Sequence, residues 1–244
     1  MLRGWTAAVI VAAISGTPAR VDRWVEGSAH HCICTRAPAE ERHDLWRYPQ
    51  IFVSSPTARR VVNDAIAADV RDSLRLKTLH RSPQCSCKSA ELVSKTSDDC
   101  EPTYLSNHYI SLQCSSEASL YGKSATTYRS LLFEINGSDV RRLSAEEIFR
   151  DGEAVKAVRT MLATSIQRDH EHAAEGDPNG QLSVSEIPEL SAQMLRSAAL
   201  TPGGVHFIVL GSHHSAFEAT LSLRHIREFL APGVLEELEG SGSG

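Results

Sequence analysis

No stretch of this sequence reaches the roughly 20 consecutive apolar residues that a membrane-spanning helix needs. Clusters of Lys and Arg are missing too, and the formal charge is −5, from 25 Lys and Arg against 30 Asp and Glu. A phosphate-binding surface needs a concentrated basic excess, so nucleic acid is excluded as a partner. Trp is scarce, with three in all. Trp5 falls in the leader described below, and Trp24 and Trp46 read as packing residues and not as a sugar platform. Local catalytic motifs are absent as well. There is no His-Glu-x-x-His, no phosphate-cradling loop and no dinucleotide fingerprint. Gly211-Ser-His-His-Ser215 does not have the Gly-x-Ser-x-Gly frame of a nucleophile elbow. A Ser–His–Asp set can assemble from distant positions, so a hydrolase with a dispersed catalytic set, acting on glycan, stays as the alternative to a binding role.

The amino terminus is informative. Arg3 is followed by the uncharged run Thr6–Ile14 and then by small residues and Pro in Ser15–Ala19. That order is the order of a secretory signal, with Thr17 and Ala19 in the −3 and −1 positions of a cleavage site after residue 19. The run is too short for a span. The expectation is a secreted or periplasmic protein with no membrane span in its mature chain. The 244 residues, 41% hydrophobic and 23% charged, suffice for a real core without metal or disulfide help.

Six Cys fit an oxidising compartment: Cys32, Cys34, Cys85, Cys87, Cys100 and Cys114. The two Cys-x-Cys pairs are too close to bridge internally without strain, so each is expected to reach a distant partner. Cys100 with Cys114, or one Cys-x-Cys joined to the other, are the pairings to test. A zinc site from His30, His31, Cys32 and Cys34 with the second pair is the competing reading. Its spacing is not that of structural zinc, whose Cys pairs are separated by two to four residues.

Residues 20–47 show no periodicity and read as an irregular approach. Tyr48–Val53 reads as a short strand. Ser55 and Pro56 look like an N-cap with Pro in the first helical position, and Ala58, Val61, Val62, Ala65, Ile66 and Val70 recur at helical spacing to about Leu76. Residues 77–103 read as a loop. Ile110–Cys114 and Leu131–Ile135 alternate as strands, and Asn136-Gly137 is a tight turn. Ser144 with Glu147 forms a capping box, and Asp151 caps a helix with the stripe Val155, Val158, Met161, Leu162, Ile166. After a polar stretch over 169–186, Leu200–Gly204 is a turn into the apolar strand Val205–Leu210. Ala219–Leu223 is a further strand and Arg224–Leu230 a short helix; 233–244 reads as a flexible tail. Strands grouped with intervening helices predict an α+β fold with a mainly antiparallel sheet packed against a few helices. One domain over 48–232 is the expectation.

Several segments together resemble a known family. They are Tyr-Pro-x-Ile (48–51), Val-Asn-Asp-Ala-Ile (62–66), Leu-Ser-x-x-x-Ile-Phe (143–149), Leu-Thr-Pro-Gly-Gly-Val-His-Phe (200–207) and Ala-Thr-Leu-Ser-Leu-Arg-His-Ile (219–226). In this order they resemble the extracytoplasmic domain of the RsiV-type lysozyme-sensing anti-sigma factors, a domain type also found beside peptidoglycan deacetylases. The likeness spans about 48–232 and rests on pattern and spacing. It implies an α+β fold and a non-catalytic role binding a protein or peptidoglycan ligand, lysozyme in the sensing members. Two features differ. Members often carry Gly-Ala-His between the paired strands, where this chain has Tyr121–Tyr128 without His, and an anti-sigma factor needs a cytoplasmic segment and a membrane span.

One local motif points to calcium. With Gly180 in the sixth place of an EF-hand loop, Glu175, Asp177 and Asn179 take the first, third and fifth places. Gln181 supplies a carbonyl, Ser183 the ninth place and Glu186 the bidentate twelfth. The same residues also read as a plain polar loop. Glu replaces the usual Asp in the first place, Pro188 falls where the exit helix starts, and Asp177-Pro-Asn-Gly180 is a type I turn by itself. A solitary extracellular site of this kind binds weakly, with a dissociation constant on the order of 0.1–1 mM. His170-Glu-His172 and His213-His214 do not share a helix face and read as solvated.

Overall fold

The computed structural model describes residues 18–33, 40–76, 92–120, 123–174, 187–210 and 216–241. The first half of the chain makes a six-stranded sheet: β1 (Arg20–Ile33), β2 (Glu40–Phe52), β3 (Leu92–Leu105), β4 (Tyr109–Leu120), β5 (Lys123–Asn136) and β6 (Asp139–Leu143), in that spatial order. Every pairing is antiparallel except β2 with β3. A parallel pair needs a crossover, and helix α1 (Pro56–Ser73) lies in that connection.

α1 starts where its chemistry dictates. Ser55 Oγ accepts the Ala58 N–H at 3.3 Å, and Pro56 occupies the first turn, where no intrahelical donor is lost. Ala58, Val62, Ile66 and Val70 form its fully buried stripe. Asn63 acts as a substitute strand partner: its amide donates to Ile51 O at 3.0 Å and accepts from Ile51 N at 2.7 Å. Beneath the helix lie Ile51, Ile110, Leu112, Leu131 and Phe133, with the Cys100–Cys114 disulfide linking β3 to β4.

The other face of the sheet carries a second core. Its elements are α2 (Gly152–Ala174), α3 (Ile187–Arg196), a three-stranded antiparallel sheet of β7 (Ala199–Thr201), β8 (Gly204–Leu210) and β9 (Ala216–Ser222), α4 (Leu223–Ile226) and α5 (Pro232–Ser241). β5 serves both cores, with Leu131 and Phe133 toward α1 and Leu132 toward the second side. Ser111 stitches the two sheets. It is fully buried, and its Oγ accepts from Leu200 N at 3.0 Å and from Thr103 Oγ1 at 2.9 Å.

The α+β class, the mainly antiparallel sheet, the α1 cap and the Asn136-Gly137 turn stand as the sequence predicts, with Gly137 at φ +65°. Asp151 Oδ1 caps α2 by accepting the Ala154 N–H at 2.7 Å. Glu147 accepts the Ser144 N–H at 2.6 Å at the entry to a 3-10 turn, and that bond is the main cause holding its carboxyl below the ordinary range.

Four segments differ from expectation. Residues 20–47, read as irregular, hold β1 and most of β2. β1 turns Val25, Gly27 and Ala29 toward the core, and a Gly and an Ala among polar neighbours leave too weak a period-two apolar signal to mark it. Gly27 lies flat under the Trp46 indole, where a Cβ would fall 2.2 Å from a ring carbon. β3 occupies the end of the segment read as a loop, its polar stretch balanced by pairing across the sheet. α3 was not foreseen. Its Pro188 sits in the first turn, where Pro is tolerated, and Ile187, Leu190 and Met194 are buried at helical spacing. The segment read as a flexible tail is mostly α5, anchored by buried Val234 and Leu238.

Candidate functional site

The six candidate calcium ligands, Glu175, Asp177, Asn179, Gln181, Ser183 and Glu186, lie outside the described residues, as do Cys34, Cys85, Cys87, His213 and His214 and the side chains of His170 and His172. Cys100 and Cys114 form one of the two anticipated pairings, with Cα atoms 4.0 Å apart at directly opposed positions of β3 and β4. Cys32 is also disulfide-bonded, which removes the thiolate that the zinc reading required. Among the described residues no three His, Cys, Asp or Glu side chains converge as a metal-holding group. Trp46 is buried as a packing residue. Trp24 is 37% exposed, with the Arg47 guanidinium stacked 4.0 Å above it.

One concavity among the described residues is built from side chains that no sequence motif marks. The β3–β4 connection is a tight turn in which Ser106 Oγ accepts the N–H groups of His108 and Tyr109 at 3.2 and 2.9 Å. On either side of it stand Tyr104 and Tyr109. Facing them, α5 presents Glu236 and Glu237, and β5 presents Glu134. Two adjoining clefts result, of about 600 and 400 Å³, which share His108, Glu236 and Glu237.

The polar groups are held in place. Tyr104 donates its hydroxyl to Glu237 Oε1 at 3.2 Å, and Tyr109 donates to Glu134 Oε1 at 3.4 Å. Arg141 grips Glu134 Oε2 through Nε and Nη2 at 3.0 and 2.9 Å, and reaches Glu147 at 2.6 Å. Burial pushes both phenols above the ordinary tyrosine value, and for Tyr109 the neighbouring Glu134 charge adds to it. Both are therefore neutral donors at physiological pH. Arg141 offsets the Glu134 charge, whereas Glu236 and Glu237 form no ion pair among the described residues. The cleft thus carries net negative charge beside two aromatic walls, a surface suited to a cationic group with an apolar stem.

Two other polar assemblies have different characters. Arg129 binds Asp98 through Nη2 at 3.0 and 2.9 Å, Asp69 through Nε at 2.6 Å and Ser116 Oγ through Nη1 at 2.6 Å. This closed network ties α1 to the sheet. Ser222 Oγ and His225 Nδ1 lie 2.9 Å apart at the start of α4, and among the described residues no carboxylate orients the other ring nitrogen. The cleft escaped the sequence reading because its members come from β3, β4, β5 and α5. The only linear signal was the pair of tyrosines flanking Ser106-Asn-His108.

No protein-family model matches this sequence, and no curated protein matches it. Among solved structures, the fold is similar to that of a DUF3298 family member from Bacteroides fragilis, with a TM-score of 0.56 and 9% identity over 92% of this chain and 98% of that one. It is also similar to a DUF3298 family protein from Pseudomonas aeruginosa, with a TM-score of 0.52 and 11% identity over 87% of this chain and 95% of that one. At these identities the likeness is one of fold.

Proposed function

We propose that this chain is an exported, non-catalytic binding domain whose acidic, tyrosine-walled cleft receives a basic group of a protein or cell-wall ligand. The observation that carries the reading is the cleft itself. Two phenols kept neutral, and two glutamates without ion-pair partners among the described residues, are recognition chemistry. A nucleophile beside a base is what hydrolysis needs. Export rests on the amino-terminal leader and on a cysteine usage consistent with an oxidising compartment. The resemblance to RsiV-type domains supports placing the ligand at the cell envelope, with lysozyme as the first candidate. No helix among the described residues is long and apolar enough to cross a membrane.

The test is a pull-down and titration of the purified chain with lysozyme and with soluble peptidoglycan fragments. The reading predicts saturable binding to one of them, weakened about tenfold (about 1.4 kcal/mol) by the double change Glu236→Gln with Glu237→Gln. Absence of binding to both ligands sinks it. Titration with calcium settles the loop at 175–186 separately, since no heat at millimolar ion removes that site.

A further inference from the structure

The six-stranded sheet has two edges, and they are built differently. β1 forms one edge. Its charges at Arg20, Asp22, Arg23 and Glu26, and the bulge between Val21 and Arg23, are devices that discourage a further strand. At the other edge β6 pairs with β5 only over Leu132–Asn136. The rest of β5, Lys123–Leu131, has β4 on one side and, among the described residues, no strand on the other.

Alternation decides which backbone groups face that open side. Asn136 and Asp139 flank a two-residue turn and therefore bond each other, so the even-numbered residues of β5 direct N–H and C=O away from β4. The Ile135 N–H agrees, pointing the opposite way to His108 O at 2.7 Å. β4 and β5 pair from Tyr109–Glu134 to Leu120–Lys123 without a register break. Ser124, Thr126, Tyr128 and Ser130 thus present their backbone donors and acceptors to the open edge. Between Ser124 and Tyr128 there is no charge, Pro or Gly, and Ser124, Ala125 and Thr127 are exposed. This edge lacks the protection that β1 has.

We propose that this edge joins a second copy of the chain, β5 against β5, antiparallel about a two-fold axis at Thr127. The charge pattern fits a second copy in this register. Centred on Thr127, Lys123 stands opposite Leu131 and Arg129 opposite Ala125, so no like charges meet. Thr126 then faces Tyr128 of the second copy, a favourable β-branched–aromatic pair, and Ser124 faces Ser130. Centring on Thr126 instead would oppose Lys123 to Arg129. The even-numbered residues fall into mutually hydrogen-bonded pairs, and the two Thr127 residues form a non-hydrogen-bonded pair with Cα atoms about 4.5 Å apart.

That distance is within disulfide range, and the chain already bridges an opposed pair of this kind at Cys100–Cys114. Among the described residues no free cysteine competes. The experiment uses the whole chain. Sedimentation of the wild type across micromolar to submillimolar concentration is expected to show a monomer passing to twice its mass. Thr127→Cys is expected to give a covalent dimer on mild oxidation, and Thr126→Cys under the same conditions is not. Thr126→Pro removes an outward N–H without touching the β4–β5 ladder, and is expected to weaken association about tenfold or more while the melting temperature holds. Thr127→Lys, which sets like charges across the axis, serves as a second disrupting variant should the proline change perturb folding. A wild type that stays monomeric throughout overturns the proposal. So does a dimer unaffected by both disrupting changes, or one that cross-links through residue 126 and not through 127.

Discussion

Tyr109 ties the cleft to solution pH. Burial, and the carboxylate of Glu134 beside it, raise the pKa of its phenol in the folded chain. The folded state then holds that proton more tightly than the unfolded state, where tyrosine titrates at about 10. The stability this gives is complete below the unfolded value and is lost as pH climbs through the folded one. Chemical denaturation followed from pH 8 into the alkaline range is expected to show wild-type stability falling, with a smaller fall for Tyr109→Phe. Gly204 is a second single-residue determinant. Its φ is +147°, and an added Cβ would lie 2.2 Å from the backbone oxygen of Leu221. Gly204→Ala is expected to cost roughly 1–3 kcal/mol in denaturant unfolding, because rigid backbone and not a mobile side chain blocks the space.

At the level of elements, the attachment of α1 to the sheet combines an apolar stripe with an ionic clamp. Asp98 is 1% exposed, and Arg129 supplies its charge partner. Arg129→Ala leaves that carboxylate buried and unpaired, and the expected loss is about 3–5 kcal/mol in equilibrium unfolding. A joint change of Arg129, Asp98 and Asp69 to apolar residues of similar size is expected to recover much of it, since burying the charges was itself costly. The stripe of α1 and its Ser55 cap are local features, and they were readable from the sequence. The clamp was not, because Asp98 lies in a run of Ser, Asp and Lys whose polarity is resolved only when β5 brings Arg129 alongside. β1 was hidden for a related reason. Its inward positions include Gly27, whose partner is an indole from another strand, and no hydrophobic period betrays such a contact. α5 shows the reverse error, where a Gly- and Ser-rich end masked the i, i+4 pair Val234 and Leu238.

Across the whole molecule, the α+β class and a mainly antiparallel sheet were legible because hydrophobic alternation and turn chemistry act over short stretches. The cleft was not, because Tyr104, Tyr109, Glu134, Glu236 and Glu237 converge only when α5 folds back over the β3–β4 turn. The similarity to DUF3298 structures extends over nearly the full chain at low identity, as expected when a fold is held by core volume and strand order and not by a fixed set of surface residues. The central claim is that the net charge of this cleft recognises a basic ligand, and the salt dependence of binding measures it most directly. Isothermal titration of the wild type with lysozyme at increasing ionic strength is expected to show affinity falling steadily, with a visibly shallower fall for Glu236→Gln combined with Glu237→Gln. Binding whose strength and salt dependence are the same in the variant as in the wild type would contradict the claim.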